Sequence, residues 1–202
     1  MSTREKIAEA ARRLAMTDGL GALSVRAVAR EAGVGATTLR HYFPAQIDLY
    51  HAVATYHVQS LVSDLSITDE TLDPQQRLYD CLAQFLPPAE HPRATLESWF
   101  ELHRLAFAPD ATTAIRTSVS SAHQVSWGIL HRWLTVLADQ GHLPAGRVDD
   151  HVGTALVLIN GINLTMLTNP DHFDLAAASS RLRWLTRAMV GEGTTTFVGG
   201  GS

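Results

Sequence analysis

Apolar residues recur at helical spacing along almost the whole chain, and this periodicity is what most limits the possible folds. No stretch keeps the two-residue alternation that is typical of a half-buried strand. Ile7, Ala10, Ala11 and Leu14, for example, share one face of a single helix. Gly and Pro residues interrupt the pattern at intervals. The sequence therefore predicts an all-α protein of about nine helices.

The interruptions and the capping residues give approximate bounds for these helices. Ser2 with Glu5 is a capping-box sequence for the first helix, and Ser24 is a favourable N-cap for the second. The helices are predicted at residues 2–18, 24–32, 36–42, 45–63, 74–86, 93–107, 111–140, 147–168 and 174–190. Residues 191–202, rich in Gly and Thr, are predicted to form a disordered tail.

Charge is unevenly distributed along the chain, whose net charge is −4. Residues 1–50 carry seven Lys and Arg against five Asp and Glu, so +2; residues 51–202 carry nine against fifteen, so −6. A mildly basic head on an acidic body is consistent with a protein that approaches phosphate with its head alone. The same distribution disfavours a protein that wraps DNA without regard to sequence.

Several classes of protein are disfavoured by what the sequence lacks. Cys81 is the one cysteine, which excludes an internal disulfide framework. The ten histidines show no His-Glu-x-x-His pattern, and there is no Gly-x-Ser-x-Gly nucleophile motif. We therefore expect neither an enzyme, nor a metal site, nor a cofactor. The first residues contain no apolar signal core, which predicts a cytoplasmic protein.

Residues 24–43 have the pattern of a helix-turn-helix. Gly33 occupies the turn, where a left-handed backbone costs glycine little. Ala29 is small where the two helices must touch. An ordinary helical hairpin also favours glycine at its turn, so Gly33 alone does not identify the motif. Apolar residues spaced to fill the angle between the two helices favour the helix-turn-helix over the hairpin. That set, which would fill the angle between the helices, is Val28, Ala32, Val34 and Leu39.

The surface of this motif carries the residue types that contact DNA. Arg and short polar side chains read base edges, whereas hydroxyls and backbone N–H groups hold phosphates. Tyr42 could either reach a phosphate through its hydroxyl or bury its ring, and the sequence leaves both open. The residues predicted to contact DNA are Ser24, Arg26, Gly35, Ala36, Thr37, Thr38, Arg40, His41 and Tyr42.

Residues 4–55 resemble the TetR family of repressors. The resemblance is carried by residues 6–11, 19–20 and 32–35, by His41-Tyr42-Phe43-Pro44, and by Asp48-Leu49. The family often has Tyr where Arg40 stands, and where Gln46 stands it often has a Lys that touches a phosphate. The resemblance therefore implies that each subunit makes one fewer charged contact to phosphate. Arg40 would supply a contact in place of the missing lysine.

The carboxyl-terminal half resembles the regulatory domain of the same family through residues 97–100, 108–110, 139–144 and 158–162. This resemblance implies that helices 147–168 and 174–190 pair with their copies in a four-helix dimer interface. The residues predicted at that interface are Leu156, Ala178, Leu182, Leu185 and Met189. A two-fold dimer would bind an inverted repeat with half-sites about one helical turn, ~34 Å, apart.

The span between Asp150 and Asp171 contains 20 residues without formal charge and is long enough to cross a membrane. Asn160 and Asn163 lie within it, and no basic residues flank it. Because amides are costly in lipid, we favour a helix buried between its own core and a partner.

A ligand pocket in a helical domain combines apolar walls with a few polar groups. His123, Trp127 and His131 share one face of a single predicted helix. Each candidate could instead belong to the core, and Asn160 and Asn163 could bond across the dimer. The predicted pocket residues are Tyr79, Trp99, Phe100, His103, His123, Trp127, His131, Asn160 and Asn163.

Together these patterns predict a one-component transcriptional regulator, of the repressor kind, with a DNA-binding domain at 1–48 and a ligand-binding and dimerisation domain at 49–190. We expect it to bind a palindromic operator as a homodimer and to be released by a small molecule, with helix 45–63 as the lever. The alternative is a DNA-binding regulator controlled by a partner protein.

Overall fold

The computed structural model describes residues 1–44, 46, 48–50, 52–53 and 62–191. Most of the predicted helix at 45–63 lies outside these residues, and so does the proposed lever action of that helix. Of the described residues of this stretch, Gln46, 48–50 and 52–53 are helical, whereas 62–63 are not, so the helix ends before the predicted residue 63. Residues 192–202 of the predicted tail also lie outside the described part.

The described residues contain eight bounded α-helices, two short 3₁₀ turns and no strand, which confirms the all-α class. The 3₁₀ turns are Leu20–Ala22 and Ala145–Arg147. The helices are α1 (Thr3–Asp18), α2 (Val25–Ala32), α3 (Ala36–Tyr42), α4 (Pro74–Ala83), α5 (Pro92–Phe107), α6 (Thr113–Asp139), α7 (Val148–Thr168) and α8 (Leu175–Gly191).

The first helix begins with the predicted capping box. The N–H of Glu5 donates to Ser2 Oγ at 3.3 Å, and the N–H of Ser2 donates to Glu5 Oε2 at 2.7 Å. These bonds satisfy N–H groups that have no acceptor within the helix. Gly19, with φ of +79°, ends α1.

The chain forms two compact units. Unit one comprises the described residues of 1–62 and 87–125, and unit two comprises those of 63–86 and 126–191. Helix α6 contributes its first half to unit one and its second half to unit two. These units are defined by which residues pack together, whereas the boundary predicted at residue 48 separates a DNA-binding from a ligand-binding domain. That boundary stays a prediction.

Unit one joins the amino-terminal helices to α5 and the start of α6. Leu102, Ala106 and Ile115 belong to the same buried cluster as Ile7 and Leu39. The Ser98 hydroxyl also donates to the carbonyl oxygen of Ala15 in α1, at 2.9 Å. The core beneath the helix-turn-helix is therefore completed by residues that lie more than fifty positions later in the chain.

Unit two is held together by contacts between distant residues. The fully buried Trp133 donates its Nε1–H to Asp64 Oδ1 at 2.6 Å, and Arg132 Nη2 donates to the same oxygen at 2.6 Å. These hydrogen bonds, the Arg132 bond first, hold the pKa of Asp64 below its usual value. The buried Arg77 donates from Nη1 to the carbonyl oxygen of Ile67 at 2.7 Å. Both interactions secure the turn that precedes α4.

The structure corrects the residues assigned to the dimer interface. Each of the five is at most 5% exposed within a single copy of the chain, because α7 and α8 turn these side chains towards the core of unit two. They are therefore unavailable to a second copy. The five are Leu156, Ala178, Leu182, Leu185 and Met189.

The segment Ala145–Thr168, which contains α7, is long and apolar enough to cross a membrane by length and composition. A core helix passes the same test, and α7 buries nine of its residues within unit two, including His151 and Asn163. Burial in the core of unit two therefore accounts for part of the hydrophobicity of α7.

Candidate nucleic-acid interface

The turn between α2 and α3 has the backbone that its glycine predicts. Gly33 has φ of +65° and ψ of +34°, the left-handed conformation. Its N–H donates to the carbonyl oxygen of Arg30 at 3.2 Å, and the N–H of Val34 donates to that of Ala29 at 3.0 Å. These bonds close the end of α2 and direct the chain into α3.

The angle between α2 and α3 is filled by part of the predicted apolar set. Val28, Ala29 and Leu39 are buried, whereas Ala32 and Val34 are half-buried. Leu39 is the one buried residue of α3. This single anchor attaches α3 to the head and leaves the rest of its surface accessible.

All nine residues predicted to contact DNA are exposed, as the prediction requires. Seven of them follow one another along α3 and its N-cap, interrupted only by Leu39. The other two, Ser24 and Arg26, lie at the start of α2. Exposure makes contact with DNA possible, and the contacts themselves stay a prediction.

Ser24 is the N-cap of α2. Its Oγ accepts the N–H of Ala27 at 3.2 Å, and its carbonyl oxygen accepts the N–H of Val28 at 2.9 Å. The hydroxyl proton of Ser24 can still be donated to an anion. Arg26 follows two positions later and is exposed, so a hydroxyl and a cation lie together at this helix end.

The structure excludes one of the two alternatives for Tyr42, the buried ring, and the phosphate contact stays a prediction. Its ring is 38% exposed and meets the His41 ring edge to face, with centroids 5.1 Å apart. The ring is therefore not part of the core, which instead takes the neighbouring Phe43.

Acidic residues near the motif are paired with arginines of α1. Arg12 Nη2 lies 2.8 Å from Glu9 Oε1, and Arg13 Nε lies 3.0 Å from Glu31 Oε1. Within the described residues, Arg26, Arg30 and Arg40 have no carboxylate within salt-bridge distance. The exposed cations of α2 and α3 are therefore available to phosphate.

Gln46 has a role that no local pattern predicts. Its Nε2 donates to the carbonyl oxygen of Leu23 at 2.7 Å. The two residues are 23 positions apart, so neither helical periodicity nor a capping motif relates them. The family resemblance indicated only that position 46 lacks the lysine that the family often has there.

Four of the predicted ligand residues lie in unit one, and three of them cluster on α5. His103 lies 4.6 Å from Trp99 and 6.1 Å from Phe100, measured between ring centroids. His103 Nδ1 is 2.9 Å from the carbonyl oxygen of Trp99. Because a carbonyl only accepts, Nδ1 carries the proton in this bond. The fourth residue, His123, is exposed.

Phe107 joins this aromatic cluster although it was not among the predicted residues. Its ring centroid lies 6.1 Å from that of His103, and it is 76% exposed. Its position eight residues after Trp99 on the same helix was the signal that could have identified it.

The other five predicted ligand residues lie in unit two, in unlike surroundings. Arg183 covers the Tyr79 ring at 3.8 Å, and the Trp127 ring lies where a Cβ added to Gly153 would meet it at 4.0 Å. His131 is exposed and its Nε2 lies 3.5 Å from a carboxylate oxygen of Asp149. Asn160 is exposed, whereas Asn163 is buried and donates from Nδ2 to the carbonyl oxygen of Phe85 at 3.2 Å. The assignment of these five to a pocket stays a prediction.

Large apolar side chains are exposed on the outer faces of α7 and α8. Val157 is 74% exposed, and Leu164, two helical turns later on the same face, is 46% exposed. Trp184 of α8 is 62% exposed. Contiguous exposed apolar patches are typical of a contact with another protein, and these side chains are the candidates for one on α7 and α8.

The amino-terminal region matches a known family. Residues 7–53 match the model of the family described as "Bacterial regulatory proteins, tetR family". The chain is also 35% identical over 99 residues to the HTH-type transcriptional regulator PksA of Bacillus subtilis (strain 168). That alignment covers 48% of this chain and 48% of PksA, so it spans about half of each protein.

Solved structures share the whole fold at low sequence identity. A Rhodococcus sp. protein assigned to the TetR family superposes with a TM-score of 0.75 at 19% identity, over 94% of this chain and 100% of that one. A protein from Saccharomonospora viridis, solved in complex with choline, superposes with a TM-score of 0.65 at 19% identity, over 89% of this chain and 92% of that one. At this identity the likeness concerns the fold.

Proposed function

We propose that this chain, which belongs to the TetR family through its amino-terminal domain, is a one-component transcriptional repressor. It binds operator DNA as a homodimer, and a small-molecule effector releases it. Residues 1–48 form the DNA-binding domain, and residues 49–190 bind the effector and dimerise. The protein acts in the cytoplasm, without an enzymatic activity or a cofactor.

The observation that carries this proposal is the exposure of α3. A helix anchored by one buried leucine, with hydroxyl and cationic side chains over the rest of its surface, fits the major groove of B-DNA. Thr37, Thr38, Arg40 and His41 read base edges or hold phosphates from this helix. Gly35 and Ala36 let its start approach the sugar-phosphate backbone closely.

The phosphate contacts come from the start of α2 and the end of α3. Ser24 donates its hydroxyl proton, and Arg26 supplies a charge next to it. Tyr42 reaches a phosphate with its hydroxyl because its ring is partly exposed. These contacts orient the head, and those of α3 discriminate among sequences.

The homodimer forms through the outer faces of α7 and α8. Val157, Leu164 and Trp184 supply the apolar contacts, in place of the five residues that the core of unit two already buries. Tryptophan is among the residues enriched in interface hot spots, so Trp184 is the main anchor of this contact. A two-fold dimer binds an inverted repeat, with half-sites about 34 Å apart.

The effector binds where the aromatic residues of α5 are accessible. His103, fixed with its proton on Nδ1, offers Nε2 as an acceptor between aromatic rings. Leu102 and Ala106, on another face of the same helix, lie in the core beneath the helix-turn-helix. A ligand on α5 therefore acts on the head unit directly, and a coupling of about 1–3 kcal/mol weakens operator binding about 5–150-fold. The choline complex of the Saccharomonospora viridis protein supports small-molecule binding in this fold.

Selection of bound sequences from random or genomic DNA by the purified full chain tests the DNA-binding role. We expect a palindromic motif whose half-sites are about one helical turn apart. A variant that replaces Thr37, Thr38 and Arg40 by alanine should recover no motif. Random recovery by the unaltered chain, or a motif unchanged by the triple substitution, would contradict the proposal.

A further inference from the structure

The hydrogen bond from Gln46 reaches the residue that precedes the phosphate-binding end of α2. Gln46 Nε2 donates to the Leu23 carbonyl oxygen at 2.7 Å, and the Leu23 side chain is fully buried. Leu23 in turn immediately precedes Ser24, the N-cap of α2. The bond therefore links the helical residues after α3 to the first residue of the helix-turn-helix.

The peptide between Leu23 and Ser24 is held at both of its polar groups. Its N–H donates to the carbonyl oxygen of Ala22 at 2.8 Å, and its carbonyl oxygen accepts the proton from Gln46. Because a peptide group is planar, fixing both groups fixes the orientation of the plane. The backbone of Ser24, with φ of −103° and ψ of 154°, is thereby constrained.

This orientation decides where the start of α2 points. Ser24 caps the N–H of Ala27 and accepts the first helical bond from Val28. The other N–H groups of the first turn have no acceptor within the helix. Rotating the peptide before Ser24 would move the Ser24 hydroxyl and the Arg26 side chain together, away from a phosphate held between them.

We propose that Gln46 is a positioning residue for DNA binding, which holds the peptide between Leu23 and Ser24 so that Ser24 and Arg26 meet phosphate. It does so from within the head, without a contact of its own to DNA. The inference rests on the proposed DNA-binding function. It also fits a neutral side chain where the resemblance leads one to expect lysine, because an amide donates to the Leu23 carbonyl without placing a cation beside the positive end of the α2 dipole.

Gln46→Met tests the hydrogen bond, since methionine keeps the length of the side chain and loses the donor. We expect operator affinity to fall about threefold to tenfold, the effect of one neutral hydrogen bond. Gln124→Met, which makes the same change at an exposed position of α6, should leave the affinity unchanged. Unchanged operator affinity in folded Gln46→Met would overturn the proposal.

A double-mutant cycle separates positioning from a general loosening of the head. If Gln46 acts through Arg26, then Gln46→Met should change the affinity less than about twofold in an Arg26→Ala background. Full multiplication of the two effects would show that they are independent, and so would overturn the proposed route. Circular dichroism melts confirm that each affinity is measured on folded protein.

Gln46→Lys tests whether the side chain at position 46 bonds to Leu23 or contacts phosphate. This variant is informative even if the methionine variant does not fold, because an ammonium group can still donate to Leu23. Gln46 is exposed but its Nε2 is bonded to Leu23, and an ammonium group that keeps this bond should leave the slope of log Kd against log salt unchanged. A slope steeper by about one per subunit would place this side chain on a phosphate and overturn the proposal. Failure of the unaltered chain to bind any DNA would instead contradict the proposed function itself.

Discussion

Helices α3 and α8 show that a stripe of apolar residues identifies a buried face but not what buries it. On α3 the stripe is reduced to Leu39, and the polar remainder is exposed as expected. On α8 the stripe from Ala178 to Met189 is complete, and its sequence pattern fits a second copy of the chain equally well. The structure shows that the protomer's own core takes this stripe, while Trp184 is left exposed. Polarity was therefore the more reliable guide to an accessible surface.

The largest expected effect tests the inward face of α8. Leu182→Ala should lower the free energy of unfolding by about 2–5 kcal/mol, because Leu182 is fully buried in unit two and its truncation leaves a cavity. Chemical denaturation at several protein concentrations measures the change. The matched control, Ala188→Gly on the exposed side of α8, should cost about 1 kcal/mol, from helix propensity alone. If Leu182→Ala lowered the free energy of unfolding only slightly, the apolar stripe of α8 would again be assigned to the dimer interface.

The outward face of the same helix is tested by Trp184→Glu. A buried charge in place of an interface tryptophan should weaken dimerisation by about 2–4 kcal/mol, and it should weaken operator binding with it. Sedimentation equilibrium measures the dimer, and far-ultraviolet circular dichroism should show an unchanged helix content. Arg93→Glu, an exposed position on α5, serves as the control. A dimer of undiminished affinity in Trp184→Glu would place the interface elsewhere.

The accessible face of α3 is tested by Arg40→Ala. If Arg40 reads a base, the loss should be about 1–3 kcal/mol in operator affinity, with relaxed preference at one base pair. Binding to a panel of single-base operator variants makes this visible. Arg93→Ala should leave the panel unchanged. A uniform loss across all operator variants would instead assign Arg40 to a phosphate.

The smallest effect concerns the turn before α4, where Asp64 bonds to Arg132 and Trp133. The pKa of Asp64 is lowered in the folded protein, so its contribution to stability is present above the ordinary pKa of 3.8 and is lost as pH falls through the folded value. Asp64→Asn should therefore flatten the loss of stability on acidification. The difference should stay under about 1 kcal/mol because the group is half-exposed. Gln124→Ala, which removes no titratable group from an exposed position of α6, should keep the unaltered slope.

Local chemistry made much of the head predictable. A left-handed turn requires glycine, so helical periodicity on either side of Gly33 is enough to place that residue between two helices. The capping residues Ser2 and Ser24 act within three positions of themselves, and both bonds are present. Each of these signals involves residues that are neighbours in the chain.

Contacts between distant residues could not be predicted in the same way. The bond from Gln46 to Leu23 spans 23 positions, and that from Trp133 to Asp64 spans 69. The completion of the head core by Leu102 and Ala106 also depends on how the chain returns to α1. No periodicity or capping rule relates such pairs.

The amino-acid sequence by itself determined the helices, the turn at Gly33 and the polar surface of α3, because helix periodicity, capping and glycine conformation are short-range. The tertiary structure alone decided which side of α8 is covered, which helix completes the head, and that Gln46 donates to the Leu23 carbonyl. The physical reason is that apolar burial has no direction: any neighbouring surface satisfies it equally, and only the path of the folded chain selects one.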